Sequence, residues 1–136
     1  MNWFFKKQIE KISFEDVQNA LIDSRFYLIN TLDIHEQECL IKSTIYANDE
    51  EKTINDMLEN INVPDRKIIV YGKNTNDNKV DLKVEQLLLL GINELYIYPG
   101  GLFEWMLLQD IYGEEMFPTT IKVLDMLKFS PKRIFI

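Results

Sequence analysis

The segment "KIIVYGKNTNDNKVDLKVEQL", residues 67–87, constrains the fold of this chain more than any other. Ile68, Ile69, Val70 and Tyr71 put apolar side chains on both faces of a strand, so that strand belongs in the middle of a sheet covered on both sides. A polar loop, 72–78, follows it. Val80, Val84, Leu87 and Leu88 then recur at helical spacing, and Gly91 marks the position just past the helix end. A strand, a loop and a returning helix place the loop at the carboxyl end of the sheet, where α/β proteins collect their ligands.

The rest of the chain repeats the pattern. Ser13 and Asp16 form a capping box ahead of Phe14, Val17 and Leu21. "RFYLIN" (25–30) and the β-branched "CLIKSTI" (39–45) read as strands. Asn48 and Glu51 read as an N-cap pair before the helical stripe Ile54, Met57, Leu58 and Ile61, and Pro64 closes that unit. "ELYIYP" (94–99) is a further strand. Gly100 and Gly101 break it, and an apolar helix runs from 102 to 112. The alternation predicts one α/β domain over 1–136: a mainly parallel five-stranded sheet flanked by helices, a core at about 12–112 and a C-terminal extension at 113–136.

With 15 basic and 22 acidic residues the net charge is −7, which argues against nucleic acid and anionic membrane as partners. No basic cluster reverses that locally. The apolar run in "MNWFFKKQIEK" is too short for a signal peptide or a membrane span. The single cysteine, Cys39, precludes an intramolecular disulfide and suits a reducing, cytoplasmic setting.

The order of these motifs resembles a single rhodanese-like domain, the sulfurtransferase fold that related cell-cycle tyrosine phosphatases also use. "YLINTL" (27–32) stands in the place of that family's "LIDVR", "CLIKSTI" of its "HIPGAI", "KIIVYG" of its "IVVYC", and "LYIYPGGLFEW" of its "V-x-x-L-x-G-G-x-x-x-W" ending. The stretch "GGLFEWMLLQDIYG…FPTT" is also similar to a small subgroup of single-domain members from protists and large DNA viruses.

The resemblance implies a loop of the form C-x-x-G-x-R, whose cysteine takes sulfur as a persulfide while backbone N–H groups and the arginine hold the anion. Here Gly72, Thr75 and Asp77 stand at the cysteine, glycine and arginine positions, with Lys73, Asn74 and Asn76 between them. Asn30 and Leu32 replace the supporting acid and arginine of the first motif, and Leu40 replaces the histidine of "HIPGAI". Glycine offers no nucleophile, and a carboxylate at Asp77 opposes an anion in the loop. The phosphatase pattern C-x5-R fails for the same reason.

Other residues invite chemistry and have plainer readings. Cys39, as a substitute nucleophile, would make the chain an active sulfurtransferase, but an isolated cysteine is usually a small buried hydrophobe. "DIHEQEC" (33–39) gathers Asp, His, Glu and Cys without a second ligand cluster, so no metal is expected. Lys73, with the loop's N–H groups, would serve a small-anion or metabolite sensor; alternatively it is an exposed lysine. Asn74, Asn76 and Asn78 read as turn and cap residues. Trp105 reads as core, while Phe103, Met106, Leu107 and Leu108 offer a surface for a partner. Trp3, Phe4, Phe5, Ile134, Phe135 and Ile136 are expected to dock on the domain itself or pair in a homodimer. The sequence thus reads as a rhodanese-like domain without its catalytic cysteine, with no cofactor, that acts by binding a protein partner or a second copy.

Overall fold

In the computed structural model, which describes residues 9–59 and 66–135, four strands form one parallel sheet. They are β1 (Glu10–Lys11), β2 (Phe26–Asn30), β3 (Lys67–Tyr71) and β4 (Leu95–Tyr98), in the order β1-β4-β3-β2. Four helices connect or flank them: α1 (Phe14–Ala20), α2 (Ala47–Glu59), α3 (Lys79–Leu89) and α4 (Gly101–Tyr112). Ile69 of β3 lies between Leu28 of β2 and Tyr96 of β4, and Val70 between Ile29 and Ile97. Ile68, Ile69, Val70 and Tyr71 are fully buried, as expected of a central strand.

Alternate side chains enter two cores. On one face Leu28, Ile69, Tyr71 and Tyr98 meet Val17 of α1, Leu102, Trp105 and Met106 of α4, and Phe117 and Phe129 of the C-terminal segment. On the other, Ile29, Ile68, Val70, Leu95 and Ile97 meet Ile54 of α2 and Val80, Val84 and Leu87 of α3. The capping box is formed: Ser13 N–H donates to Asp16 Oδ2 at 3.1 Å and Asp16 N–H to Ser13 Oγ at 3.4 Å. Gly91 takes a positive φ of 102°, as a helix-terminating glycine should.

Two expectations are corrected. Among the described residues the sheet has four strands, not five: "CLIKSTI" makes only isolated bridges, Leu28 to Thr44 and Ile41 to Thr119, while the short edge strand β1, which the sequence pattern did not indicate, pairs with β4. Cys39, Leu40, Ile41 and Thr44 are buried, but Ser43 turns the backbone to φ 72° and Lys42 N–H bonds the Pro118 carbonyl. The apolar side chains are buried by packing rather than by a ladder. Secondly, α2 starts at Ala47, so Asn48 lies inside the first turn rather than capping it. Ile61 and Pro64 lie outside the described residues.

The segment after Tyr112 packs onto the face with α4. Trp105 Nε1 donates to the Pro118 carbonyl at 3.0 Å, and Gln109 Nε2 to that of Phe117 at 2.7 Å. Its end does not dock: Ile134 is 79% and Phe135 85% exposed, contrary to the intramolecular expectation. Trp3, Phe4, Phe5 and Ile136 fall outside the described residues. No helix among the described residues is long and apolar enough to cross a membrane.

Candidate functional site: the loop after strand β3

The loop 72–78 leaves the carboxyl end of β3 and enters α3, next to the start of α4. Leu102 N–H donates to the Gly72 carbonyl and Phe103 N–H to that of Lys73, each at 2.9 Å. Gly101 allows this approach. Its φ is +69°, and a Cβ there would lie 2.7 Å from the Gly72 carbonyl oxygen. The double glycine therefore does more than end a strand: its second member seats α4 against the loop.

Asp77 turns inward and fills the loop. Its Oδ2 accepts from Lys73 N–H at 3.0 Å and from the Thr31 hydroxyl at 2.9 Å, and its Oδ1 accepts from Lys79 N–H at 2.9 Å. The carboxylate thus engages backbone donors at the head of α3, where negative charge is favoured. It also occupies the space beside Gly72: a Cβ on Gly72 would meet Asp77 Oδ2 at 2.5 Å and Asp77 Cβ and Cγ at 2.8 Å. No positive φ demands glycine there, and the three atoms nearest to such a Cβ all belong to Asp77.

Asn74 spans the loop and the C-terminal segment. Its Oδ1 accepts from Asn76 N–H and its Nδ2 donates to the Phe129 carbonyl, both at 2.9 Å. Asn78, expected to cap α3, makes no side-chain cap bond; Asp77 makes one instead, to Lys79 N–H. Lys73 Nζ pairs with Glu36 at 2.7 Å, and Lys79 pairs with Asp33. The hydrogen bond from Lys79 holds the Asp33 carboxyl below the usual carboxylate range. Alongside lies a groove of about 390 Å³ whose walls include Leu32, Asn76, Ser130, Lys132 and Ile134.

The remaining candidates settle into packing and ion pairs. Cys39 is fully buried in the α4-side core, where its thiol donates to the Ile121 carbonyl at 3.4 Å and burial raises its pKa. A reactive thiol needs the opposite setting, exposed and electropositive. Ligand atoms of Asp33, His35 and Glu36 lie within 4.8 Å of one another, but both carboxylates are engaged by lysine ammonium groups. Leu40 and Leu32 are buried apolar residues, and Asn30 Oδ1 accepts from Leu32 N–H at 2.9 Å in a local turn. Trp105 and Met106 are buried and Phe103 and Leu108 pack on the core, which leaves only Leu107 of the expected partner surface exposed.

No family model and no curated protein matches the chain. Solved structures do. A single-domain sulfurtransferase of Saccharomyces cerevisiae aligns over 83% of this chain and 98% of its own, at 16% identity and TM-score 0.55. Two structures from Lactobacillus plantarum each align over 73% of this chain, at 20% and 17% identity with TM-scores of 0.52 and 0.50. The chain has a rhodanese-like fold. The loop 72–78, singled out by the sequence resemblance, lies between β3 and α3 of this fold. The similarity of the ending to protist and viral members rests on the sequence alone.

Sequence reasoning placed Asp77 in the loop but gave it only a repulsive part. Thr31, which holds it from just past the end of β2, went unnoticed. The spacing of Asp77 and Lys79, with an acid two residues before the first helical N–H, was the signal available for the cap.

Proposed function

We propose that this is a catalytically inactive rhodanese-like domain that acts as a binding or scaffolding module for another protein or for a second copy of itself. The observation that carries the reading is the occupied loop. The position of the expected nucleophile is a glycine, and the volume beside it holds the carboxylate of Asp77. Persulfide chemistry needs a thiolate at that point and free N–H donors to receive the anion. Here the Lys73 and Lys79 N–H groups are already bonded to Asp77.

The two alternatives gain less support. Cys39 as nucleophile would have to leave the core in which it is buried. A small-anion sensor using 72–78 would have to displace Asp77, and Lys73 would have to leave Glu36. The acidic balance of the chain adds a long-range field that disfavours anions.

The test is sulfur transfer from thiosulfate to cyanide, with persulfide detection on the protein. The expected result is background turnover and no persulfide in the wild type and in Cys39→Ser alike. Turnover that Cys39→Ser abolishes would overturn the reading in favour of an active sulfurtransferase.

A further inference from the structure

The C-terminal segment is held to the rest of the domain at few points. Phe129 is fully buried in the α4-side core, and Val123 and Met126 pack partly against the same core. Among the described residues, the one hydrogen bond from the body of the domain to residues 123–135 is that from Asn74 to the Phe129 carbonyl. An ion pair from Lys128 to Glu38 spans 3.6 Å across exposed surface and contributes little. Beyond Phe129 the chain runs beside the loop, where Ser130, Lys132 and Ile134 supply one wall of its groove. The opposite wall includes Asn76, whose N–H bonds the other end of the Asn74 amide.

We infer that residues 123–135 form a strap that borders the loop groove, and that Asn74 couples the seating of Phe129 to the order of the loop. One side chain bonds both walls. When Phe129 leaves its socket, Nδ2 of Asn74 loses its acceptor, and the turn that Asn74 Oδ1 holds at Asn76 is released with it. The wall bearing Lys132 and Ile134 withdraws in the same event, so the groove widens as its other side loosens. A strap held by one fully buried aromatic, two half-buried side chains and one hydrogen bond belongs among the low-energy local openings of a fold, well short of global unfolding. Coupling between two such elements acts in both directions, so ordering the loop also steadies the strap. The inference stands apart from the proposed function, because neither turnover nor a partner enters it.

Amide hydrogen exchange on the full chain tests it, residue by residue. Phe129→Leu keeps an apolar anchor but seats it less well, and should speed exchange at Asn76 about three- to tenfold, the scale of one weakened hydrogen bond. Asn74→Ala should speed exchange at Ser130, across the groove, by a similar factor. The Gly91 amide, bonded to the Leu88 carbonyl at 3.0 Å at the far end of α3, should keep its rate in both variants. An Asn76 rate that is unchanged in Phe129→Leu, or that rises only in step with Gly91, overturns the coupling. If Phe129→Leu does not fold, Asn74→Ala decides the matter: an unchanged Ser130 rate refutes the inference and a faster one supports it.

Discussion

Gly72 and Asp77 should be energetically coupled, and the size of that coupling follows from the geometry. A methyl group on Gly72 would lie 2.5 Å from Asp77 Oδ2 and 2.8 Å from Asp77 Cβ, closer than non-bonded atoms allow. The Gly72 backbone has no positive φ, so the main cost of Gly72→Ala is the displacement of Asp77, which supplies the three atoms nearest to the new methyl group. Overpacking of this kind costs about 1–3 kcal/mol. Asp77→Ala loses bonds from Lys73 N–H, Lys79 N–H and the Thr31 hydroxyl. Solvent can replace part of them at this half-buried site, so the loss should be about 1.5–3 kcal/mol. In the double variant the alanine at 72 meets no carboxylate. Its cost should fall by about 1–2 kcal/mol relative to the sum of the single changes. Urea unfolding of the wild type, both single variants and the double variant measures this directly. Additivity within ~0.5 kcal/mol would refute the claim that Asp77 blocks the space beside Gly72.

Gly72→Cys alone should remain without sulfur transfer, since Asp77 crowds the new thiol and opposes its ionisation, whereas Gly72→Cys with Asp77→Arg should give measurable turnover in the thiosulfate assay. Val70→Asp should leave no folded protein by circular dichroism, because an unpaired charge at this fully buried site of β3 costs several kcal/mol. Deleting residues 132–136 should change unfolding free energy by less than about 0.5 kcal/mol, given the exposure of Ile134 and Phe135; a larger loss in urea titration would show that the end is docked after all. Arg25 hydrogen bonds lower the Asp23 pKa from 3.8 to about 2. A depressed carboxylate stabilises the fold above its unfolded pKa and loses that effect as pH falls through the folded value. The stability difference between wild type and Asp23→Asn should accordingly be constant above about pH 4 and shrink toward pH 2, as acid titration followed by fluorescence would report.

The parts of the fold that were legible in the sequence are those where local pattern and tertiary burial agree. Residues 68–71 are apolar on both faces because both faces are covered, and Val80, Val84 and Leu87 fall at helical spacing because α3 covers one of them. Residues 39–45 misled because a buried extended loop and a buried strand select the same side chains. What distinguishes them is the partner of each N–H, and Lys42 finds Pro118, 76 residues away, rather than a ladder. The position of the candidate loop, after β3 and before α3, was legible. What fills it was not, because Asp77 depends on Thr31, which lies 46 residues away just past the end of the neighbouring strand β2. The apolar run 102–108 suggested a surface to spare, yet the segment around Phe117 and Phe129 completes the core over most of it.

The carboxylate lodged beside Gly72 has a consequence for the history of such a gene. Two of the four glycine codons lie a single base from a cysteine codon, so from either of them a thiol could arise at position 72 by one mutation. With Asp77 in the way, that mutant would gain no turnover and would carry a folding defect, so selection would remove it before a second substitution arrived. Changing Asp77 first would sacrifice the cap of α3 for no return. On the reading proposed above, each position thus guards the other, and a sulfur-transferring loop could arise here only through both changes together.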